Sequence, residues 1–290
     1  MAPSLEQKIS AFYDRSSGLW EQIWGEHMHH GYYGPTGETP KSRLQAQIDL
    51  IEELLHWGAV ERGADILDVG CGIGGSSIYL AGKFGANVTG ITLSSVQAGR
   101  GQSRAQRLGL ADRVSFQVAN ALEMPFADQS FDLVWTLESG EHMADKAQFL
   151  QECCRVLQPG GKLLMATWCH RPTLPDYPPL TEKESEHLRR IYQVYCLPYV
   201  ISLPDYQAIA TTLPLTEVKT ADWSSAVAPF WQDVIASTTS PQALWGLLTA
   251  GWSTVEAALS LGLMSQGFRS GLIRYGLLQG VKVADEVGNF

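Results

Sequence analysis

From Ala64 to Trp168 the chain alternates short apolar runs with helical patterns, and this rhythm constrains the fold more than any other feature of its 290 residues. ADILDVG reads as a strand, SSIYLAGKFG as a helix closed by Gly85, NVTGIT as a strand, and SSVQAGRGQSRAQRLG as a helix capped by Ser94 or Ser95 and ended by Gly109. RVSFQVAN and FDLVWTLE continue as strands, DKAQFLQECCRVL is a helix with Asp145 at its N-cap, and a QPGG turn leads into the strand KLLMATW. Such alternation predicts an α/β fold, a doubly wound parallel sheet with helices on both faces. After Trp168 the rhythm breaks. Residues 170–204 are rich in proline and tyrosine, with one polar helical stretch over 181–195. DYQAIATTL then reads as a helix, TEVKTADW as a strand and LIRYGLLQGVKV as the final strand. Between the last two strands lies an apolar, aromatic insertion in which Leu244, Leu248, Trp252, Val255, Leu259 and Leu263 recur at helical spacing.

Composition narrows the partners. A net charge of −9 with no basic cluster argues against nucleic acid, whose phosphates select surplus Lys and Arg. Five cysteines, with Cys153 and Cys154 adjacent and no C-x-x-C pair, suggest neither a disulfide framework nor a zinc ribbon, so a reducing, intracellular compartment is expected. No apolar signal core opens MAPSLEQKISAFYD. The longest run without Asp, Glu, Lys or Arg, Val234 to Val255, is interrupted by Ser, Thr, Gln, Gly and Pro241 and does not read as a membrane span.

The stretch DVGCGIGG at 68–75 places Gly70, Gly72 and Gly75 in a G-x-G-x-x-G pattern, which suits a dinucleotide or another adenosyl cofactor. A dinucleotide site needs an acid for the ribose about 20 positions further on, where this chain reads GITLSS with no carboxylate. A nicotinamide-dependent oxidoreductase is thereby disfavoured. Asp68, two residues ahead of the first glycine, suits a ligand with an amino-acid moiety and no phosphate. The pattern D-x-G-x-G-x-G resembles the first motif of class I S-adenosylmethionine-dependent methyltransferases. NALEMPFADQSFDLVW and RVLQPGGKL resemble that family's blocks leading into the fourth and fifth strands. Thr92 stands where most members carry the ribose acid, and GITLSSVQ instead resembles the branch that includes cyclopropane fatty acid synthases.

The resemblance implies S-adenosylmethionine as cofactor and a Rossmann-like seven-stranded sheet. Residues 1–60 would form a helical lid, 61–169 the cofactor-binding core, and 170–290 the substrate cap insertions with the last strands. It implies Asp68, Gly70, Cys71, Gly72 and Gly74 at the amino-acid end, Thr92, Leu93 and Gln97 at the ribose, Asn120 and Ala121 at the adenine, and Leu137 at the end of the fourth strand. Tyr13 and Trp20 are expected over the cofactor, because aromatic faces attract a sulfonium cation. Further blocks, FYDRSSGLWEQIWGEHMHHGYYGP, LESGEHM, TWCHRP, YCLPYVISLPDY and ADWSSAVAPFW, resemble γ-tocopherol C-methyltransferases of the cyanobacterial and plant type, and some are shared with plant alkaloid N-methyltransferases.

That closer resemblance implies C-methylation of a lipophilic phenolic chromanol, γ- to α-tocopherol or δ- to β-tocopherol, in vitamin E biosynthesis. The alternatives are a methylase of prenylated benzoquinols, an indole-alkaloid N-methyltransferase and, in another class, a non-catalytic prenyl-lipid carrier. The expected location is the cytoplasm or the periphery of a photosynthetic membrane, in a plastid if a transit peptide has been removed. Glu138, Glu141 and His142 follow the fourth strand at the edge where open α/β sheets bind ligands, so they are the candidate catalytic groups, with His142 or Glu141 as base and Glu138 as helper. His170 and Asp222 lie on the same edge. With His30, Tyr33, Trp231, Trp245 and Trp252 they are the candidate substrate contacts. HMHH at 27–30 has no convincing further ligand beyond Glu26, and no metal is expected.

Overall fold

In a computed structural model, the structure describes residues 3–173, 175–238 and 252–284. Two helices, α1 (Leu5–Trp24) and α2 (Arg43–Trp57), precede the sheet. The alternating region then gives β1 (Asp65–Val69), α3 (Gly75–Phe84), β2 (Asn87–Thr92), α4 (Ser95–Arg107), β3 (Val114–Val118), β4 (Phe131–Leu137), α5 (Lys146–Val156) and β5 (Leu157–His170). The chain continues as α6 (Glu182–Tyr195), α7 (Leu203–Ala210), β6 (Leu215–Asp222), α8 (Ser224–Val227), α9 (Pro229–Thr238), α10 (Trp252–Arg269) and β7 (Ile273–Lys282).

Local chemistry sets these boundaries. Ser94 caps α4 by accepting from Gln97 N, Asp145 caps α5 by accepting from Gln148 N, and Ser4 with Gln7 forms a reciprocal capping box at α1. Residues in β4 and β5 alternate between two cores. Leu133, Trp135, Leu164 and Ala166 pack on the side of α2 and the aromatic cap, whereas Val134, Leu163 and Met165 pack with α5 and Tyr206.

The seven strands lie in the order β3-β2-β1-β4-β5-β7-β6. The first five are parallel to one another, but β7 is antiparallel to both β5 and β6, so the expected parallel sheet is a mixed one. The insertion explains this. Asp222, ending β6, pairs with Gly276, and Ile273, opening β7, pairs with His170 at the end of β5. The chain thus leaves and re-enters the sheet on one edge and must return in the opposite direction. The QPGG segment also differs from expectation. It lies inside β5 as an irregularity, between the pairs Phe131 with Leu157 and Leu133 with Lys162.

Strand order reverses between β1 and β4, and their carboxyl ends open a crevice at the point where α/β sheets take ligands. Helix α1 crosses this crevice. All five cysteines are free thiols. Among the described residues no helix is long and apolar enough to cross a membrane.

Candidate active site

One large cavity occupies the crevice. Its floor is Asp68, Gly70, Cys71 and Gly72 after β1, Thr92 and Leu93 after β2 with Gln97 on α4, and Asn120 and Ala121 after β3. Leu137, Glu138, Ser139, Glu141 and His142 close one side, and Tyr13, Trp20 and Trp24 of α1 lie across it with Trp168 of β5 and Tyr195 of α6. The structure therefore brings together all the expected cofactor residues except Gly74. That glycine has φ +81°, and a Cβ there would collide with the Phe116 ring, so it serves the packing of the turn while Gly75 lines the cavity. Gly72 behaves differently. A Cβ there would meet only Met28, at 4.0 Å, but its φ of +54° disfavours any side chain.

These groups fit S-adenosylmethionine. Asp68 is buried and accepts from Ser77 Oγ at 2.6 Å, and burial pushes its carboxyl up to about 7. A ligand ammonium beside it would favour its charged form again. Thr92 Oγ1 donates to Gln97 Oε1 at 2.7 Å, so a hydroxyl and amide pair stands where dinucleotide enzymes carry an acid. Sequence reasoning did not single out Asp14 on α1. Its carboxylate accepts from Ser94 Oγ at 2.5 Å and from Val96 N at 3.3 Å, pinning α1 to the start of α4.

The three candidate catalytic groups have distinct surroundings. Glu138 takes a left-handed conformation, φ +56°, at the end of β4. It accepts from His30 N at 2.7 Å, His30 Nδ1 at 2.8 Å, Tyr275 OH at 2.9 Å and Trp168 Nε1 at 3.3 Å. Burial alone would raise its carboxyl, but His30 brings it below the usual range. Both oxygens are committed to structural bonds. Glu141 is 1% exposed and accepts from Thr167 Oγ1 at 2.6 Å. Burial, with the Glu138 charge nearby, pushes it up to about 7.

His142 Nε2 lies 2.7 Å from Tyr13 OH, 129 positions away in sequence. Burial, reinforced by the Lys146 charge, pushes the imidazole down to about 3, and burial raises the Tyr13 hydroxyl far above its ordinary value. A neutral imidazole facing a protonated phenol assigns Tyr13 as donor and Nε2 as acceptor.

The expected substrate contacts divide. His30 is buried against Glu138. Tyr33 donates to Asp233 Oδ2 at 2.5 Å. Asp222 accepts from Ser224 N at 2.8 Å at the start of α8, and half-buried His170 turns its Nδ1 to Arg171 O. Trp231 is fully buried one layer behind the cavity, edge-on to Trp24, His30 and Trp168. None of these five lines the cavity. Trp245 and the side chain of Trp252 lie outside the described residues. The aromatic wall instead comes from Trp20, Trp24, Trp168 and Tyr195, with Tyr195 stacked on Trp20 at 20° and edge-on to Trp168. Trp168 ends the strand that the sequence places at this edge; Tyr195 opens the block YCLPYVISLPDY but is not among the expected site residues. Near HMHH, the Glu26 carboxylate is taken by Arg104, and no group of three metal-binding side chains occurs among the described residues.

A methyltransferase domain model matches residues 67–165. The cavity at the β1/β4 reversal and this match define a class I S-adenosylmethionine-dependent methyltransferase, and S-adenosylmethionine is its cofactor. "Probable tocopherol O-methyltransferase, chloroplastic" from Oryza sativa subsp. japonica is 50% identical over 283 residues, 95% of this chain and 78% of the rice protein. "Tocopherol O-methyltransferase, chloroplastic" from Arabidopsis thaliana is 45% identical over 284 residues, 95% of this chain and 82% of that one. A solved geranyl diphosphate methyltransferase in complex with SAM superposes with a TM-score of 0.69 at 26% identity, covering 89% of this chain and 99% of its own. The chain belongs to the tocopherol methyltransferase family.

Proposed function

We propose that this enzyme methylates a lipophilic phenolic chromanol, γ- or δ-tocopherol, at the ring carbon beside the hydroxyl, with Glu141 as general base. The observation that carries the reading is the buried Glu141 carboxyl, held by Thr167 Oγ1 at the edge of a cavity walled by four aromatic rings, where burial pushes it up to about 7. The names of the rice and Arabidopsis relatives support the substrate class. The cofactor supplies an electrophilic methyl group on a sulfonium. In this reading Asp68 and the Gly70–Gly72 backbone hold its amino-acid end, Thr92 and Gln97 the ribose, and Asn120 and Ala121 the adenine. Residues 1–60 act as lid, 61–169 hold the cofactor, and 170–290 supply the substrate cap insertions and the last sheet strands.

A free phenol has a pKa of about 10, and its ring carbons become strongly nucleophilic only as the hydroxyl proton leaves. Glu141 accepts that proton in its ionised form, which predominates above about pH 7. Once the ring carbon has taken the methyl group, its own hydrogen leaves as a proton to water, the ring becomes aromatic again, and the phenolate takes back the proton held by Glu141. The low pKa of His142 makes it a weak base, and its Nε2 is taken by Tyr13, so its part is to hold Tyr13 across the cavity. Much of the rate enhancement then comes from the rings of Trp20, Trp168 and Tyr195 holding the substrate carbon in line, within about 3 to 3.5 Å of the methyl group. A lipophilic substrate and chloroplastic relatives support work at the surface of a photosynthetic membrane.

The test is a labelled-methyl assay offering γ-tocopherol, δ-tocopherol, a prenylated benzoquinol and an indole alkaloid side by side, with product identification. Carbon methylation keeps the phenol ionisable, so the product retains a titration near pH 10. Label on the phenolic oxygen, or preference for the quinol or the alkaloid, would overturn the proposal.

A further inference from the structure

A buried lysine without a carboxylate partner is costly, and Lys146 is one. At the start of α5 it is 2% exposed, and none of the ion pairs among the described residues includes it. Its ammonium lies 2.7 Å from Met143 O, 2.8 Å from Gly140 O, 3.0 Å from Tyr199 O and 3.1 Å from Glu141 O. It also sits 4.8 Å over the Tyr199 ring. Three N–H groups are thus shared among four backbone carbonyls. Three of those carbonyls belong to the short 3-10 turn Gly140–His142 and the residue that closes it, and the fourth to the segment after α6.

The turn carries Glu141 and His142, and without the ammonium its carbonyls would lie buried beside an apolar stem. Tyr206 OH donates to Gly140 O at 3.2 Å, which serves only one of them. We infer that Lys146 is a positioning residue that fixes the height of the Glu141–His142 turn over the cavity and ties it to the cap segment at Tyr199. This inference rests on the reading of Glu141 as base. Its second effect is electrostatic. The titratable groups facing Glu141 are Glu138 just after β4, Tyr13 of α1, Cys169 of β5, Tyr206 of α7, Tyr275 of β7 and the neighbouring His142, and Lys146 is the cation among this set. Its charge favours ionised Glu141, so its removal pushes the base upward.

The experiment is K146M, assayed with γ-tocopherol and methyl-labelled S-adenosylmethionine across pH 5 to 9, with cofactor affinity read by calorimetry. We expect kcat to fall on the order of 10²-fold through misplacement of the turn, cofactor affinity to hold, and the acid limb of kcat/KM to move up by about one pH unit. Wild-type kcat overturns the inference. So does a fall in kcat with an unmoved acid limb, or one matched by an equal loss of cofactor affinity, since a merely structural lysine behaves in those ways. If K146M does not fold, K146Q, whose amide keeps two donors for the carbonyls but no charge, carries the same test with the same outcomes. E141Q separates the two readings: if E141Q keeps activity the base assignment fails, whereas an inactive E141Q beside a normal K146M rejects the lysine alone.

Discussion

Replacing Glu141 by glutamine should make the enzyme more stable and nearly inactive, and the pH dependence of both effects follows from one group. The carboxyl is raised from an ordinary 4.5 to about 7 by burial and by Glu138. An acid raised in the folded state has full stability while protonated, below the unfolded pKa, and loses it as pH climbs through the folded pKa. At about 1.36 kcal/mol per pH unit, ionised Glu141 costs the fold about 3 kcal/mol at pH 8 and less than about 1 kcal/mol at pH 5. Gln keeps the acceptor for Thr167 Oγ1 and never ionises. For a chain of 290 residues the gain corresponds to about 5 °C in Tm at pH 8 and about 1 °C at pH 5. The same variant should lose about 10² to 10⁴ in kcat, and wild-type kcat/KM should rise tenfold per pH unit up to about pH 7 before levelling. Thermal melts at the two pH values, with a methyl-transfer assay, check all of this. A Tm difference that is equal at pH 5 and pH 8, or a variant within about tenfold of wild-type kcat, would refute the reasoning.

Three further outcomes can be measured on the cofactor and the core. Asp68→Asn should weaken S-adenosylmethionine about 10- to 150-fold by calorimetry, the loss expected from one charge-assisted bond of about 1.5 to 3 kcal/mol; unchanged affinity removes Asp68 from the site. Gly72→Val places a branched side chain at a φ of +54°, a strain of about 1 to 3 kcal/mol, and fills space beside the cavity floor, so a folded variant should show no cofactor binding in the same titration. Trp231→Ala should cost about 3 to 5 kcal/mol of stability and lower the yield of active enzyme equally for γ-tocopherol and a tail-less chromanol. A selective rise in KM for the long-tailed substrate would instead put Trp231 on the path of the tail.

The sheet and the residues of the cavity floor were legible in the sequence because both are local. Asp68, Gly70 and Gly72 sit within one strand-to-loop turn, and periodicity located the strands whose ends line the crevice. The direction of β7 was not legible, since it depends on which edge the chain occupies after β6. The substrate side was legible only in part. Trp231 has the composition of a pocket residue and the burial of a core one, because α9 packs it behind Trp24 and Trp168. Glu138 stands in the sequence as a helper beside Glu141, but it follows β4 in a left-handed conformation that turns its carboxylate toward donors from His30, Trp168 and Tyr275. Those partners lie far away in the sequence and leave no local pattern.

Such distant contacts also explain how the first thirty residues belong to the site. Asp14 bonds the start of α4, close to Thr92 and Gln97. One residue earlier, Tyr13 bonds His142 on the turn after β4. His30 bonds Glu138, which also takes donors from β5 and β7. Along the outside of α1, Glu21 pairs with Arg100, and Glu26, just beyond the helix, pairs with Arg104, holding the segment to α4. These outer pairs are partly exposed on at least one partner, and such pairs contribute at most about 1 kcal/mol each. The bonds to His142, Glu138 and Asp14 are better shielded and contribute more, about 0.5 to 1.5 kcal/mol for the neutral Tyr13–His142 pair and about 1.5 to 3 kcal/mol for each bond to a carboxylate. Lifting α1 from the crevice therefore breaks the stronger bonds, to His142 and to Ser94, on its cavity side and the weaker ion pairs on its outer side. The placement of Tyr13, Trp20 and Trp24 over the cavity and the ordering of the turn after β4 are coupled, since the same bonds secure both.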